Sequence, residues 1–350
     1  MIRLTWLQFR AQAVTAAAAL AAFAVLLAAT GPHLASRYAA SGLSGCQRGC
    51  EQLANNFQQG LYGGTYWDLY LTGIVLILLA PAIIGLFWGA PLIARELETG
   101  TSALVWNQSI TRTRWLAVKL ALVGLAAIAV TEGLSLMQAW WAAPIGRAAG
   151  QGGSSTYLAM NRYSALVFAT HGITPLGYAA FGFALGVTAG ALIRRTVPAM
   201  AVTLAIFAAL QVAMPLWIRP NLIPASHTVI PIASLDGVSL LQSAHPTHST
   251  FSLGALDLPG QPGAWILSSG TVNAAGQATI TTPAACTAPA MQNASPAFFD
   301  CLASHGIREA ISYQPASRYW AFQLTETGIY LALALALAGC CFRQLNRRLS

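Results

Sequence analysis

The chain has 350 residues, of which 56% are hydrophobic and 8% are charged, and its mean hydropathy is +0.58. Soluble globular proteins carry about 25% charged residues, so this chain lacks the polar groups needed to cover a water-facing surface. This composition excludes a soluble enzyme, a disordered tail and a fibrous protein. The net charge of +8 does not indicate nucleic-acid binding, because the 18 basic residues are scattered singly or in pairs.

Six apolar runs are each long enough to cross a bilayer, which takes about 20 mainly apolar residues. They cover residues 11–29, 69–88, 116–137, 166–193, 197–217 and 324–342. We therefore predict an all-α polytopic membrane protein with six transmembrane helices. A cleaved signal peptide is an alternative for the first run, but its length favours a retained span that follows an interfacial helix over residues 1–10.

The distribution of Arg and Lys predicts the orientation, because cytoplasmic segments next to spans carry an excess of positive charge. Eleven of the 18 basic residues lie near span ends on the side of the N-terminus, and the other seven are spread over longer segments. The eleven are Arg3, Arg10, Arg95, Arg112, Arg114, Lys119, Arg194, Arg195, Arg343, Arg347 and Arg348. We expect both termini to be cytoplasmic.

Four of the six cysteines fall in predicted outside segments, where disulfides persist. They are Cys46, Cys50, Cys286 and Cys301. Four cysteines allow three connectivities, and the pairing of each cysteine with its neighbour in the chain requires the least chain closure. We prefer that pairing to a metal site, because no pair of histidines lies near the first two cysteines.

The outside segment 218–323 is the one segment long enough to form a domain, and it separates residues 1–217 from a last span and tail at 324–350. Residues 264–282 alternate loosely between apolar and polar, which predicts a hairpin or a pair of strands. Residues 297–313 are predicted to form a short helix. The expected insertion is therefore of the α+β type.

No catalytic signature is found in the sequence. A Walker A loop needs Gly-Lys-Ser/Thr, and the single lysine, Lys119, is followed by Leu120. The HExxH and G-x-S-x-G motifs and a paired-carboxylate pattern are also missing from the sequence. We therefore expect no enzyme activity and no cofactor in this chain, and any work that it does must draw energy from elsewhere.

The predicted cytoplasmic loop 93–114 lies between the second and third spans and contains both inner acids, Glu96 and Glu98. Gly100 can end a helical turn, and a short apolar segment carrying Trp106 follows it. An apolar segment framed by charges is typical of a docking element. The alternative is an ordinary positively charged loop that is polar because it faces water.

At this loop the sequence resembles the permease subunits of ABC-2 type ABC transporters, in the branch common in actinobacteria. The matching residues are Glu96, Glu98, Gly100, Thr101, Trp106, Gln108, Ser109, Arg112, Arg114, Trp115, Leu116 and Lys119. A second match covers residues 313–320 with Phe322, Gln323 and Glu326. The segment 218–323 is longer than its counterpart in the simplest members of the family.

The resemblance implies a type V exporter-like fold in the bacterial plasma membrane, surrounded by lipid. Two permease chains would pair, and each loop would dock on a separate ATP-binding subunit that holds ATP and Mg. Glu96, Glu98, Arg112 and Arg114 would supply an ionic frame and Trp106 a buried anchor. A hydrophobic or cationic small molecule, a lipid or a peptide would be exported. The alternative function is a membrane-anchored sensor or receptor that uses the outside domain.

Ionisable groups within the membrane are candidates for function because they are costly to insert. Glu132 in the third span could pair with His171 of the fourth span or bind a cationic substrate, and a structural hydrogen bond between helices is the alternative. Glu326 of the sixth span is a further candidate for the pathway, and the alternative is that it simply reaches the outer interface. Gly182, Gly186 and Gly190 form a small-residue stripe that allows close helix packing.

Overall fold

The computed structural model describes residues 2–46, 49–98, 112–151, 162–232, 239–245, 248–254, 258, 261, 263–279, 283–286 and 296–348. In this part of the chain, six helices are long and apolar enough to cross a membrane. We number them spans 1 to 6: Phe9–Ala40, Thr65–Glu98, Thr113–Trp141, Thr174–Ile193, Thr196–Asn221 and Ala316–Gln344. The prediction of six transmembrane helices is confirmed.

The first helix differs from its prediction because it runs without a break from Ile2 to Ala40. No Gly or Pro occurs before Gly31, so nothing in the sequence interrupts the backbone hydrogen bonds at residue 10. The predicted interfacial helix 1–10 is therefore not a separate element. It is the first part of one helix that includes span 1.

The fourth predicted span, 166–193, is divided into a short helix, Ala165–Thr170, and the helix Thr174–Ile193. Gly172 lies between them with a φ of 74°, a conformation that ends a helix easily only at glycine. Pro175 in the first turn of the second helix lacks a backbone N–H and so favours a new start at this point.

Span 4 lies at the centre of the bundle and packs its glycine stripe against span 2 of the same chain. A Cβ atom added to any stripe glycine would come within 2.1–2.6 Å of a span 2 carbonyl oxygen. The pairs are Gly182 with Pro81, Gly186 with Gly85, and Gly190 with Ala90. The facing part of span 2 contains a π-helical turn, Gly85–Gly89. The stripe thus brings two backbones into direct contact.

Both ends of the described chain lie on one side of the bundle. An apolar cluster gathers Phe9 of span 1, Trp88 of span 2, Trp115 of span 3 and Cys341 of span 6. We call this side the terminal face. The opposite side, which carries the segment between spans 5 and 6, is called the insertion face.

The insertion contains a three-stranded antiparallel sheet in the order β1-β5-β4 and a separate hairpin of β2 and β3. The strands are β1 Ser226–Pro231, β2 Ser239–His245, β3 His248–Gly254, β4 Trp265–Val272 and β5 Arg308–Gln314. Within the predicted strand region 264–282, β4 is followed by a tight turn and a single bridge between Val272 and Ala278.

The helix predicted over 297–313 is wrong in its second half. The observed helix is Pro296–Ser304, and residues from Arg308 onward form β5. Gly306 has a φ of 70°, which reverses the chain after the helix. In β5, Glu309 and Ile311 are buried and the residue before each is more exposed. This alternation every two residues is typical of a strand, and the helical interpretation overlooked it.

Two disulfides join Cys46 to Cys50 and Cys286 to Cys301, the pairing preferred from the sequence. Cys340 and Cys341 are free thiols. The bond between Cys286 and Cys301 joins the helix Pro296–Ser304 to the short turn Ala284–Cys286. Phe298 and Leu302 of this helix belong to a small apolar core that includes Cys286.

Candidate functional site

The first end of the predicted docking loop is fastened to the bundle on the terminal face. At the end of span 2, the Glu96 carboxylate forms an ion pair with Lys119 of span 3. The Lys119 ammonium also lies 4.6 Å from the centroid of the Trp115 ring. The pair joins spans 2 and 3. The Lys119 side chain is only 2% exposed and that of Glu96 16% exposed, so little of the pair is accessible to a partner.

Glu98 makes the second attachment, to the start of span 5. Its Oε2 accepts hydrogen bonds from the backbone N–H of Thr196 at 3.3 Å and from the Thr196 hydroxyl at 2.8 Å. A carboxylate at a helix N-terminus also interacts favourably with the helix dipole. Both acids expected to face a partner therefore make contacts within the chain, although Glu98 is exposed.

The middle of the docking loop lies outside the described residues, including Gly100, Thr101 and Trp106. Arg112 begins the helix of span 3, and its side chain is not among those described. Arg114, two residues further, is exposed at the terminal face. The 13 residues 99–111, which lie outside the described part of the chain, join the anchored end of span 2 to the start of span 3.

On the insertion face, Glu326 is fully buried in an ion pair with Arg219 and is not exposed at the outer interface, the alternative considered for it. Arg219 Nε lies 2.8 Å from Oε2 and Nη2 lies 3.0 Å from Oε1, a bidentate geometry. The Tyr178 hydroxyl donates to Oε1, and the Phe168 ring lies 3.9 Å from the guanidinium carbon. Three spans and the helix Ala165–Thr170 meet at this cluster.

Gln323, one helical turn before Glu326, holds the break that precedes span 4. Its Oε1 accepts from the backbone N–H groups of Ile173 and Thr174 at 3.0 and 3.1 Å. Its Nε2 donates to the carbonyl oxygens of Phe168 and His171 at 3.2 and 3.1 Å. One side chain therefore satisfies the backbone groups that the break leaves without helical partners.

The predicted pair of Glu132 and His171 is not formed. His171 Nδ1 lies 2.9 Å from the carbonyl oxygen of Val167 and 3.1 Å from the Thr170 hydroxyl. Within the described residues, Glu132 Oε2 has no hydrogen-bond partner. His171 is thus held locally at the end of its short helix, and Glu132 remains a carboxylate without a fixed partner at that oxygen.

Arg219, Tyr178 and Gln323 were not identified as site residues from the sequence. Arg219 follows the predicted end of span 5 by two residues, so it was counted as an ordinary outside charge. The sequence did offer one signal, the position of each residue along its span. Arg219 and Glu326 both lie close to the insertion-face ends of their spans and so at a similar depth in the membrane. Opposite charges at one membrane depth are expected to pair, because either charge alone would be costly.

These observations describe a multi-pass membrane protein with an inserted domain on one face and an anchored loop on the other. Residues 17–219 match the family described as ABC-2 membrane transporter related. The chain therefore belongs to that family and is an ABC-2 type permease. No curated protein and no solved structure gives a significant match to the chain.

Proposed function

We propose that the chain is the membrane subunit of an ATP-driven exporter, with both termini in the cytoplasm of a bacterium. Membership of the ABC-2 membrane transporter related family carries this proposal. The two attachments that Glu96 and Glu98 make just before residue 99 support it. The exported substrate would be a hydrophobic or cationic small molecule, a lipid or a peptide.

In the proposed coupling, the docking loop transmits a movement of the ATP-binding partner to three spans. A partner that binds Trp106 would pull on the docking loop. The first end of this loop is bound to span 3 through Glu96 and to span 5 through Glu98. A rigid-body movement of the partner would then tilt spans 2, 3 and 5 together. The internal pairs of the two acids make them positioning residues for the loop, and exposed Arg114 is available to a partner.

ATP and Mg would be held by a separate ATP-binding subunit, because this sequence has no Gly-Lys-Ser/Thr loop. Members of the family are normally non-catalytic membrane subunits. A second permease chain would complete the assembly, with a homodimer as the simplest form. The chain itself would contribute the path and the docking surface, without taking part in ATP chemistry.

Copurification tests this proposal directly. The chain is coexpressed with an ABC-type ATP-binding subunit from the same genome, and the amount of ATPase retained on the purified permease is measured. Trp106→Ala and Arg114→Glu are expected to lower retention at least about tenfold, because interface anchors of this kind contribute about 2 kcal/mol or more. Trp140→Ala is the matched control, since Trp140 is 61% exposed on the insertion face.

Retention by Trp106→Ala equal to that of the wild type would show that the loop does not dock. Equal loss in Trp140→Ala would point to general damage rather than docking. If no ATPase is retained by the wild-type chain, the transporter proposal itself fails, and a membrane-anchored sensor becomes the better interpretation.

A further inference from the structure

The insertion-face half of the bundle contains two separately packed bodies. The first, which we call the helical body, joins the ends of spans 1 and 3, the start of span 2 and the short helices Glu51–Leu61 and Ala143–Ala149. Its core includes Tyr38, Phe57 and Trp141. The Trp141 indole N–H donates to the Thr30 hydroxyl at 2.9 Å, which fixes span 3 to span 1.

The second, which we call the insertion body, joins the sheet to spans 4, 5 and 6. The ion pair of Arg219 and Glu326 bridges the end of span 5 and span 6, on either side of the insertion. Gln314 of β5 donates to the carbonyl oxygen of Ile223 at 2.7 Å, and Arg318 donates to that of Pro224 at 2.7 Å. Separating these groups would leave buried charges without partners, so the body is expected to move as a unit.

The seam between the two bodies is the buried face of span 3. In the terminal half of the bundle this face is apolar, with Val123 and Ala127. In the insertion half it carries Thr131 and Ser135, which are both at most 1% exposed. Gln138 instead faces the start of span 2, where its Nε2 donates to the Tyr70 carbonyl oxygen at 3.3 Å. The Ser135 hydroxyl donates to the carbonyl oxygen of Thr170 at 2.8 Å and so crosses to the insertion body.

A buried hydroxyl on this seam is unsatisfied. Thr131 Oγ1 has no hydrogen-bond partner in the described part of the chain. A buried polar group without a partner costs free energy, and an apolar side chain would serve a permanently closed seam better. Thr131 is therefore suited to a conformation in which water or a polar part of the substrate reaches it.

Span 2 supplies a pivot between the bodies. From Pro81 to Ala90 its backbone is in close contact with the glycine stripe of span 4, whereas Tyr70 and Ile74 pack in the helical body. Pro81 removes one helical hydrogen bond at the boundary, where a helix bends most easily. The apolar cluster around Val123 closes the terminal half below this point.

We infer that the chain opens on its insertion face along this seam, by separating the helical body from the insertion body while spans 4, 5 and 6 stay together. Opening breaks the contact of Ser135 with Thr170 and exposes Thr131 and the neighbouring Glu132 to water. This inference rests on the proposed transport function, because ATP-driven movement of the loop supplies the displacement.

Cysteine accessibility tests the inference in the complex of permease and ATPase, reconstituted in nanodiscs. Cys340 and Cys341 are replaced by alanine, and a membrane-impermeant cationic methanethiosulfonate is added with or without ATP. Thr131→Cys is expected to react at least about tenfold faster during ATP turnover. Thr327→Cys, buried in span 6 with its hydroxyl also unpartnered in the described chain, is the matched control and stays unreactive.

A second control is Thr203→Cys, since Thr203 is fully buried in span 5 and donates to the Ala199 carbonyl at 2.7 Å. If Thr131→Cys stays unreactive in a complex that hydrolyses ATP, the seam does not open and the inference is overturned. Equal reaction of Thr327→Cys would overturn the rigidity of the insertion body. A wild-type complex that hydrolyses no ATP would instead contradict the proposed function.

Discussion

Glu309 is a buried carboxyl in the central strand of the insertion. Its Oε2 accepts a hydrogen bond from the Thr271 hydroxyl at 3.1 Å. Burial raises the pKa of Glu309 to about 7, and the Thr271 hydroxyl opposes part of that rise. Because the folded-state pKa exceeds the ordinary value near 4.5, the folded sheet binds a proton that the unfolded chain has released. The stability that protonated Glu309 contributes to the sheet is therefore full below pH 4.5. It falls as the pH rises and is lost once the pH has passed 7.

We predict that the free energy of opening of the β1-β5-β4 sheet is about 2 kcal/mol higher at pH 5 than at pH 8. Hydrogen exchange of β4 and β5 peptides in the full chain, corrected for the intrinsic pH dependence of exchange, measures this difference. Glu309→Gln should remove most of it. If the wild type and Glu309→Gln show the same pH dependence, Glu309 is not the titrating group.

The environment of Glu326 illustrates how far single residues could be predicted from the sequence. An acid within an apolar run has to be neutralised, and this requirement was visible from its position. Its partner, Arg219, lies 107 residues away on the far side of the insertion, so local spacing could not identify it. The same reasoning paired Glu132 with His171, but the His171 ring turned to its own helix.

At the scale of elements, the glycine stripe of span 4 allows a sharp test of packing. A Cβ on Gly186 would lie 2.1 Å from the carbonyl oxygen of Gly85, so Gly186→Ala must push spans 2 and 4 apart. We expect loss of folded protein, or a decrease in stability of about 3 kcal/mol or more, because such overpacking cannot be relieved by a side-chain rotation. Thermal unfolding of the purified chain measures the effect.

Gly133→Ala is the matched control for this substitution, since Gly133 lies within span 3 and an added Cβ would meet no described atom within 4 Å. Alanine has the higher helix propensity, so this variant should be neutral or slightly more stable. Equal destabilisation by both variants would mean that the loss arises from membrane insertion and not from contact between spans 2 and 4.

Helices and strands were predictable where a single sequence pattern dominated a segment. They were mispredicted where a helical and a strand pattern met in one segment. The spans follow from apolar length alone, because a bilayer leaves few alternatives. The segment 297–313 mixed a helix start with a strand, and Gly306 was the one residue that marked the boundary. The stripe of span 4 indicated close packing, but only the fold identifies span 2 as its neighbour.

At the scale of the whole molecule, the uneven distribution of basic residues is an argument about orientation. Eleven of the 18 basic residues belong to the terminal face, together with just two acids, Glu96 and Glu98. Retaining positive charge on the cytoplasmic side is the general rule for membrane insertion. Both acids are engaged with the chain itself, so the surface offered by this face is predominantly cationic.

We therefore predict that the terminal face is cytoplasmic, which can be checked by labelling single cysteines with an impermeant maleimide. In the Cys340→Ala, Cys341→Ala background, Ser44→Cys should react in intact cells and Arg343→Cys only in inside-out vesicles, because both positions are exposed, on opposite faces. The reverse pattern would place the loop 99–111 outside the cell. No cytoplasmic ATP-binding subunit could then reach it, so this result would contradict the orientation and the proposed coupling together.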